Sequence, residues 1–134
     1  MRTVYVATRF DNYQAARDML AALSDQYTPA YDWTQHAVDG ADPISHTNRA
    51  RLAEVARDTL QAIERCDLFV ALLPGGRGTN AEIGAALAFG RRVVLVGPTT
   101  DDSGRLCPLY ELAAWKYPTS TAMLAARSSK AAPQ

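Results

Sequence analysis

The sequence predicts an α/β three-layer sandwich built on a five-stranded, mainly parallel sheet. Three observations carry that prediction. Two short runs, Leu68–Leu73 and Val93–Val96, are apolar without alternation, as strands buried on both faces must be. The segments between the apolar runs carry hydrophobic residues at helical spacing. The two periods alternate along 134 residues with no internal repeat and no linker.

The elements follow in order. Val4-Tyr5-Val6-Ala7 is a β-branched run and reads as the first strand. Asn12 to Leu23 places Ala15, Ala16, Met19, Leu20 and Leu23 on one helical face. Thr28 to Trp33 reads as a second strand, and Pro29 puts it at an edge because proline cannot donate to the ladder. Residues 34–44 are polar and turn-rich, hence a loop. Ser45 to Arg65 is a long helix with Leu52, Val55, Ala56, Leu60 and Ile63 on one stripe. The central strand Leu68–Leu73 leads into a glycine loop, Pro74-Gly75-Gly76-Arg77-Gly78, then a helix from Thr79 to Phe89 closed by Gly90. Val93–Val96 is stopped by Gly97-Pro98, and residues 99–104 form a polar loop. Leu106 to Ala114 reads as a short helix, Trp115-Lys116-Tyr117 as an edge strand and Thr119 to Arg127 as a last helix. Residues 1–127 are therefore expected to be one domain, with 128–134 a fraying tail. Right-handed crossovers favour the flavodoxin-like order 2-1-3-4-5, in which ligands sit outside the carboxyl ends of the strands.

Charge and composition exclude several classes. Fourteen basic and fourteen acidic side chains give a formal net charge of +0, so no basic surface argues for nucleic acid or anionic lipid. No apolar stretch approaches the roughly 20 residues that span a bilayer. Met1-Arg2 leads straight into the first strand, and Cys66 and Cys107 stand far apart without metal-ligand spacing. A cytoplasmic protein with reduced thiols, no metal and no cofactor is the expectation.

The segment from Leu73 to Gly84 carries the chemistry. Its glycines let backbone amides converge on an anion, the helix start adds partial positive charge, and Arg77 can add a bidentate phosphate contact. The spacing is neither that of a Walker loop nor the Gly-x-Gly-x-x-Gly of dinucleotide folds. Thr79-x-x-Glu82 fits a capping box, with the Glu82 carboxylate reaching back to the Thr79 amide. The same geometry would keep Glu82 ionised beside a phosphate-ready loop, able to attack or stabilise an electrophilic sugar carbon. Gly84 offers room for another backbone or a ligand. Arg9 can meet a phosphate or stay on the surface. Trp33 and Tyr31 can stack on a base or simply pack. His36 and His46 are possible general acids near neutral pH.

These residues resemble a family. Val4–Ala7, the stretch Ala62 to Val70, and Gly78-Thr79-Asn80-Ala81-Glu82-Ile83-Gly84 through Ala88 are similar to the nucleoside 2-deoxyribosyltransferase-like family, which includes 2'-deoxynucleoside 5'-phosphate N-hydrolases. The resemblance implies that Glu82 is the nucleophile on the anomeric carbon and that Tyr5 positions it by a hydrogen bond. It implies a small-molecule nucleoside or nucleotide as substrate, no nucleic acid or membrane partner, and a homodimer. N-glycosidic cleavage passes through an oxocarbenium-like state, which a carboxylate stabilises or captures. Pro74-Gly75-Gly76-x-Gly78-Thr79-x-x-Glu82 is also similar to the signature of the lysine-decarboxylase-like phosphoribohydrolases, which break the same bond type.

Two positions depart from the first family. Its nucleoside transferases carry an acid six residues before the nucleophile, where this chain has Gly76, and this tilts the reading to a phosphorylated substrate held by Gly75, Gly76, Arg77, Gly78, Thr79 and Arg9. An acid is also expected eight residues before Asp67, where Thr59 stands with Asp58 beside it. Asp58 is thus a candidate that helix phase has to test, and Asp67 reads equally as a strand-start residue. A nucleotide-binding sensor without catalysis, or a glycosidase of a larger dinucleotide such as NAD, are the competing readings.

Overall fold

The computed structural model describes residues 1–35 and 48–127. His36, His46, most of the predicted loop 34–44, the start of the helix predicted from Ser45, and the tail 128–134 lie outside the described residues.

Five strands, β1 (Arg2–Ala7), β2 (Tyr27–Pro29), β3 (Leu68–Leu72), β4 (Val93–Val96) and β5 (Trp115–Tyr117), form one sheet in the order β2-β1-β3-β4-β5. Every pairing is parallel, with Tyr5 opposite Phe69 and Phe69 opposite Val93. The predicted class and order hold. Among the described residues, four α-helices pack on the sheet: α1 (Tyr13–Ala22), α2 (Arg49–Arg65), α3 (Arg77–Ala88) and α4 (Ser120–Arg127).

The period-2 rule divides the core. Val4, Val6, Leu68, Val70, Leu72, Val94 and Val96 face α1 and α4, where Ala16, Met19 and Met123 meet them. Tyr5, Ala7, Phe69, Ala71, Val93 and Leu95 face α2 and α3, against Ala62, Ile63, Ile83 and Ala86. All five β3 residues are buried, which explains their unalternated sequence. Each buried Leu, Val or Phe side chain contributes roughly 1.5–3 kcal/mol of burial.

Three elements differ from expectation in extent or type. The second strand is only Tyr27–Pro29, because Ala30 closes the pairing by donating to the Val4 carbonyl at 2.8 Å and the chain then turns. Trp33 therefore lies beyond the strand and is held there by its indole N–H, which donates to the Val6 carbonyl at 2.7 Å. Helix α3 starts at Arg77, two residues before Thr79, with Gly76 as N-cap. The predicted helix Leu106–Ala114 is a 3-10 turn, Pro108–Leu112. Helix α2 also buries less than its stripe implied: among its residues only Ala62 and Ile63 are buried, while Leu60 is 45% exposed.

Gly90 has φ +73 and closes α3 in the left-handed conformation, as the sequence predicts. Gly97, with φ +115, ends β4 where the chain passes the carbonyl of Leu73, and a Cβ there would lie 2.3 Å from that oxygen. No helix of the described residues is long and apolar enough to cross a membrane.

Candidate active site

The parallel sheet delivers the carboxyl ends of β1 and β3 to one edge, and α2 and α3 flank them on one face. There a cavity of about 550 Å³ is lined by Tyr5, Arg9, Trp33, Thr59, Arg77 and Glu82, with Thr8, Phe10, Val55, Gly76, Gly78 and Thr79 completing its wall. The loop after β1, the turn after β2, the inner side of α2 and the first turn of α3 all contribute. This is the location that strand polarity requires of a ligand site.

Glu82 and Tyr5 form its centre. Tyr5 is buried in the sheet and stacked on Phe69, with ring centroids 5.7 Å apart and planes 12° apart. Its hydroxyl donates to Glu82 Oε2 at 2.6 Å. That short bond is charge-assisted when Glu82 is ionised. Burial pushes the Glu82 carboxyl up from its ordinary 4.5 to about 7, and the Tyr5 hydrogen bond pulls only part of the way back. The phenol itself is held well above its usual value, first by burial and then by the neighbouring Glu82 charge.

Two expectations are corrected here. Glu82 does not cap the helix, because Thr79 is the third residue of α3 and its hydroxyl accepts from the Gly76 amide at 3.1 Å. Nor is the carboxylate kept ionised by helix-terminal amides: burial in a desolvated wall, only partly offset by the Tyr5 hydrogen bond, brings its pKa to about 7, so that it is near half-protonated at neutral pH.

The other predicted residues fall out as follows. Gly76, Gly78 and Thr79 line the cavity together with Arg77 and Arg9, and the Arg9 side chain runs alongside Gly76, where a Cβ would meet its Cγ at 3.4 Å. Arg9 also pairs with Asp11 at 3.2 Å, an exposed contact of little strength. Gly75 is packed rather than open, since a Cβ there would sit 2.6 Å from the Thr79 side chain. Trp33 forms a wall with Phe10, their centroids 6.0 Å apart. Gly84 meets nothing: a Cβ there would have no neighbour within 4 Å, so no backbone of the described residues approaches it.

Asp58 is not brought to Glu82. It lines a separate depression with Tyr31, Gln61 and Arg65, while Thr59, one residue on, faces the Glu82 cavity. A step of about 100° on the helix separates the two positions. Tyr31 is likewise turned into that second depression rather than toward Glu82, and there burial and the Asp58 charge raise its phenol. Asp67 is a strand-start residue, its carboxylate accepting from the Thr3 amide at 2.8 Å. Sequence reading passed over Thr8, Phe10, Val55 and Thr59 as wall residues. The i, i+4 phase of Val55, Thr59 and buried Ile63 was the signal that marked which side of α2 faces in.

The arrangement offers a partly buried carboxyl held by one phenol, beside two arginines and the first-turn amides of α3, which have no intrahelical carbonyl to bond. It can hold an anion and place a carboxylate against an electrophilic carbon next to it.

Comparison with known proteins agrees with that chemistry. A family model described as nucleoside 2-deoxyribosyltransferase matches residues 3–116. Among curated proteins none matches the chain. Among solved structures, the CMP N-glycosidase BcmB of Clostridium botulinum is similar at 17% identity and TM-score 0.63, covering 96% of this chain and 100% of that one. A 2-deoxyribosyltransferase from Bacillus psychrosaccharolyticus is similar at 20% identity and TM-score 0.54, over 84% of each chain. A conserved protein from Enterococcus faecalis V583 is similar at 18% identity and TM-score 0.61, covering 93% of this chain and 96% of that one. At these identities the likeness is one of fold.

Proposed function

The chain belongs to the nucleoside 2-deoxyribosyltransferase family, enzymes of the N-glycosidic bond, and from that premise we propose that it cleaves the base from a (2'-deoxy)nucleoside 5'-monophosphate through Glu82. The observation that carries this reading is the Tyr5–Glu82 bond inside a cavity that also holds Arg9, Arg77 and the start of α3.

In this mechanism Arg77, Arg9 and the amides of the first α3 turn hold the 5'-phosphate. Glu82, with Oε2 fixed by Tyr5, faces C1' from the side opposite the base. As the C1'–N bond breaks, its electron pair leaves with the base, and the carboxylate bonds C1' or stabilises its positive charge. The departing base takes up a proton from solvent, and water attacking C1' releases the sugar phosphate, returning a proton to solvent and restoring Glu82. A second base in place of water gives transfer. A homodimer in the cytoplasm remains part of the proposal.

The test is incubation with a panel of nucleosides and (deoxy)nucleoside 5'-monophosphates, following free base by chromatography. Release from a monophosphate with little from its nucleoside is expected, and no release across the panel would overturn the reading. The reactive form is the carboxylate, so kcat should rise with pH through a limb near 7. Tyr5→Phe removes the bond that lowers the Glu82 pKa, so the limb should move upward and kcat fall by about 10²-fold. An unmoved limb would show that Glu82 is not the titrating group.

A further inference from the structure

A base that leaves C1' with the electron pair of the broken bond must take up a proton or already carry a positive charge. Proton donors for such a step are imidazoles, carboxyls, ammonium groups or phenols within reach of the leaving atom. Among the described residues, the titratable side chains that line the Glu82 cavity are Tyr5, Arg9, Arg77 and Glu82 itself. None of them is placed to serve the base. Glu82 is the group assigned to C1', and an arginine guanidinium does not give up its proton. The Tyr5 hydroxyl directs its one proton to Glu82 Oε2 at 2.6 Å, and burial holds that phenol well above its usual value. Asp58 opens into a different depression. The remaining hydroxyls of the wall belong to threonines, which are far too weakly acidic for the task.

The charges of the cavity suit a zwitterion instead. Arg9 and Arg77 answer a phosphate, and Glu82 supplies negative charge at the sugar carbon. Phe10 and Trp33, their ring centroids 6.0 Å apart, add aromatic surface to the wall, and aromatic faces attract a cation. We propose that the preferred substrates are nucleoside 5'-monophosphates whose base is cationic, an N7-alkylated purine or a pyridinium, and departs as a neutral molecule without receiving a proton. The inference rests on the assignment of Glu82 above and adds the class of leaving group. As the C1'–N bond breaks, its electron pair cancels the positive charge of the ring, and a Glu82 oxygen bonds C1'. Water then attacks C1', the carboxylate is freed, and the proton of that water passes to solvent. Unmodified bases, which wait for a proton from solvent, take the same route more slowly.

The test compares 7-methylguanosine 5'-monophosphate with guanosine 5'-monophosphate, and the 2'-deoxy pair beside them, in the intact protein. Free base is followed by chromatography at a slightly acidic pH, where the methylated ring keeps its charge, and the enzyme-free rate is subtracted. At saturation, where affinity no longer enters, kcat should be about 10²-fold or more higher for the methylated nucleotide, the least that a general acid usually supplies. A smaller ratio would show that a proton donor serves the leaving base, and would overturn the inference while leaving the Glu82 chemistry intact. Release from neither member of either pair would overturn the Glu82 reading and this inference with it. In Glu82→Gln, release of 7-methylguanine should collapse as well, because a good leaving group still needs the carboxylate at C1'. Release that persists there would place the cleavage outside this site, and both readings would fall.

Discussion

Glu82→Gln is expected to lower base release by roughly 10³-fold or more while nucleotide binding survives. The amide keeps the volume of the side chain and an oxygen to accept from Tyr5, so the cavity wall stands, but the carboxylate that the proposed mechanism requires at C1' is gone. The same substitution should stabilise the fold above neutrality. Glu82 has its pKa raised from 4.5 to about 7 by burial, so between those values the folded chain keeps a proton that the unfolded chain releases. Stability is therefore lost as pH rises from about 4.5 to about 7, and the deficit stays constant above. Glutamine carries no such deficit, and the variant should gain on the order of 2 kcal/mol at pH 8, a gap that closes toward pH 4.5. Thermal melts across that range, paired with the base-release assay, check both halves. A variant that keeps its activity, or that melts lower at pH 8, would contradict the role given to this carboxyl.

Gly97→Ala is expected to cost about 3 kcal/mol or more and to lower Tm by roughly 10 °C. Its φ of +115 disfavours any L side chain, and the added Cβ would press on the Leu73 carbonyl at 2.3 Å. Relief is hard to find, because the Gly97 amide is tied to the Tyr117 carbonyl at 2.8 Å and the Leu73 amide to the Val96 carbonyl at 2.7 Å. Leu73 is also the last residue before the loop that sets the start of α3, so nucleotide affinity should weaken along with stability. A melting temperature within about 2 °C of the unmodified protein would show that the backbone there relaxes freely.

What the sequence disclosed, and what it hid, follow from the range of the interactions. The central strands were legible because burial on both faces leaves no polar alternation, and the glycines at 90 and 97 were legible as stops. The start of α3 was not: Gly76 and Gly78 are poor helix formers, so local propensity placed the cap at Thr79. The tertiary structure instead uses the Thr79 hydroxyl to satisfy Gly76 from inside the first turn. The choice between Asp58 and Thr59 was decided by helix phase, which Val55 and Ile63 already encoded. The ionisation of Glu82 was hidden altogether, since it depends on a tyrosine 77 positions away and on how much water the fold excludes.

Tyr5 belongs to two structures at once: its ring is a brick of the hydrophobic interior on Phe69, and its oxygen is the bracket that aims Glu82. The aim of the carboxylate is thus mortgaged to the integrity of the whole slab of strands. Loss of function and loss of fold should arrive together on heating, with no slack regime in which an intact body carries a misaligned centre.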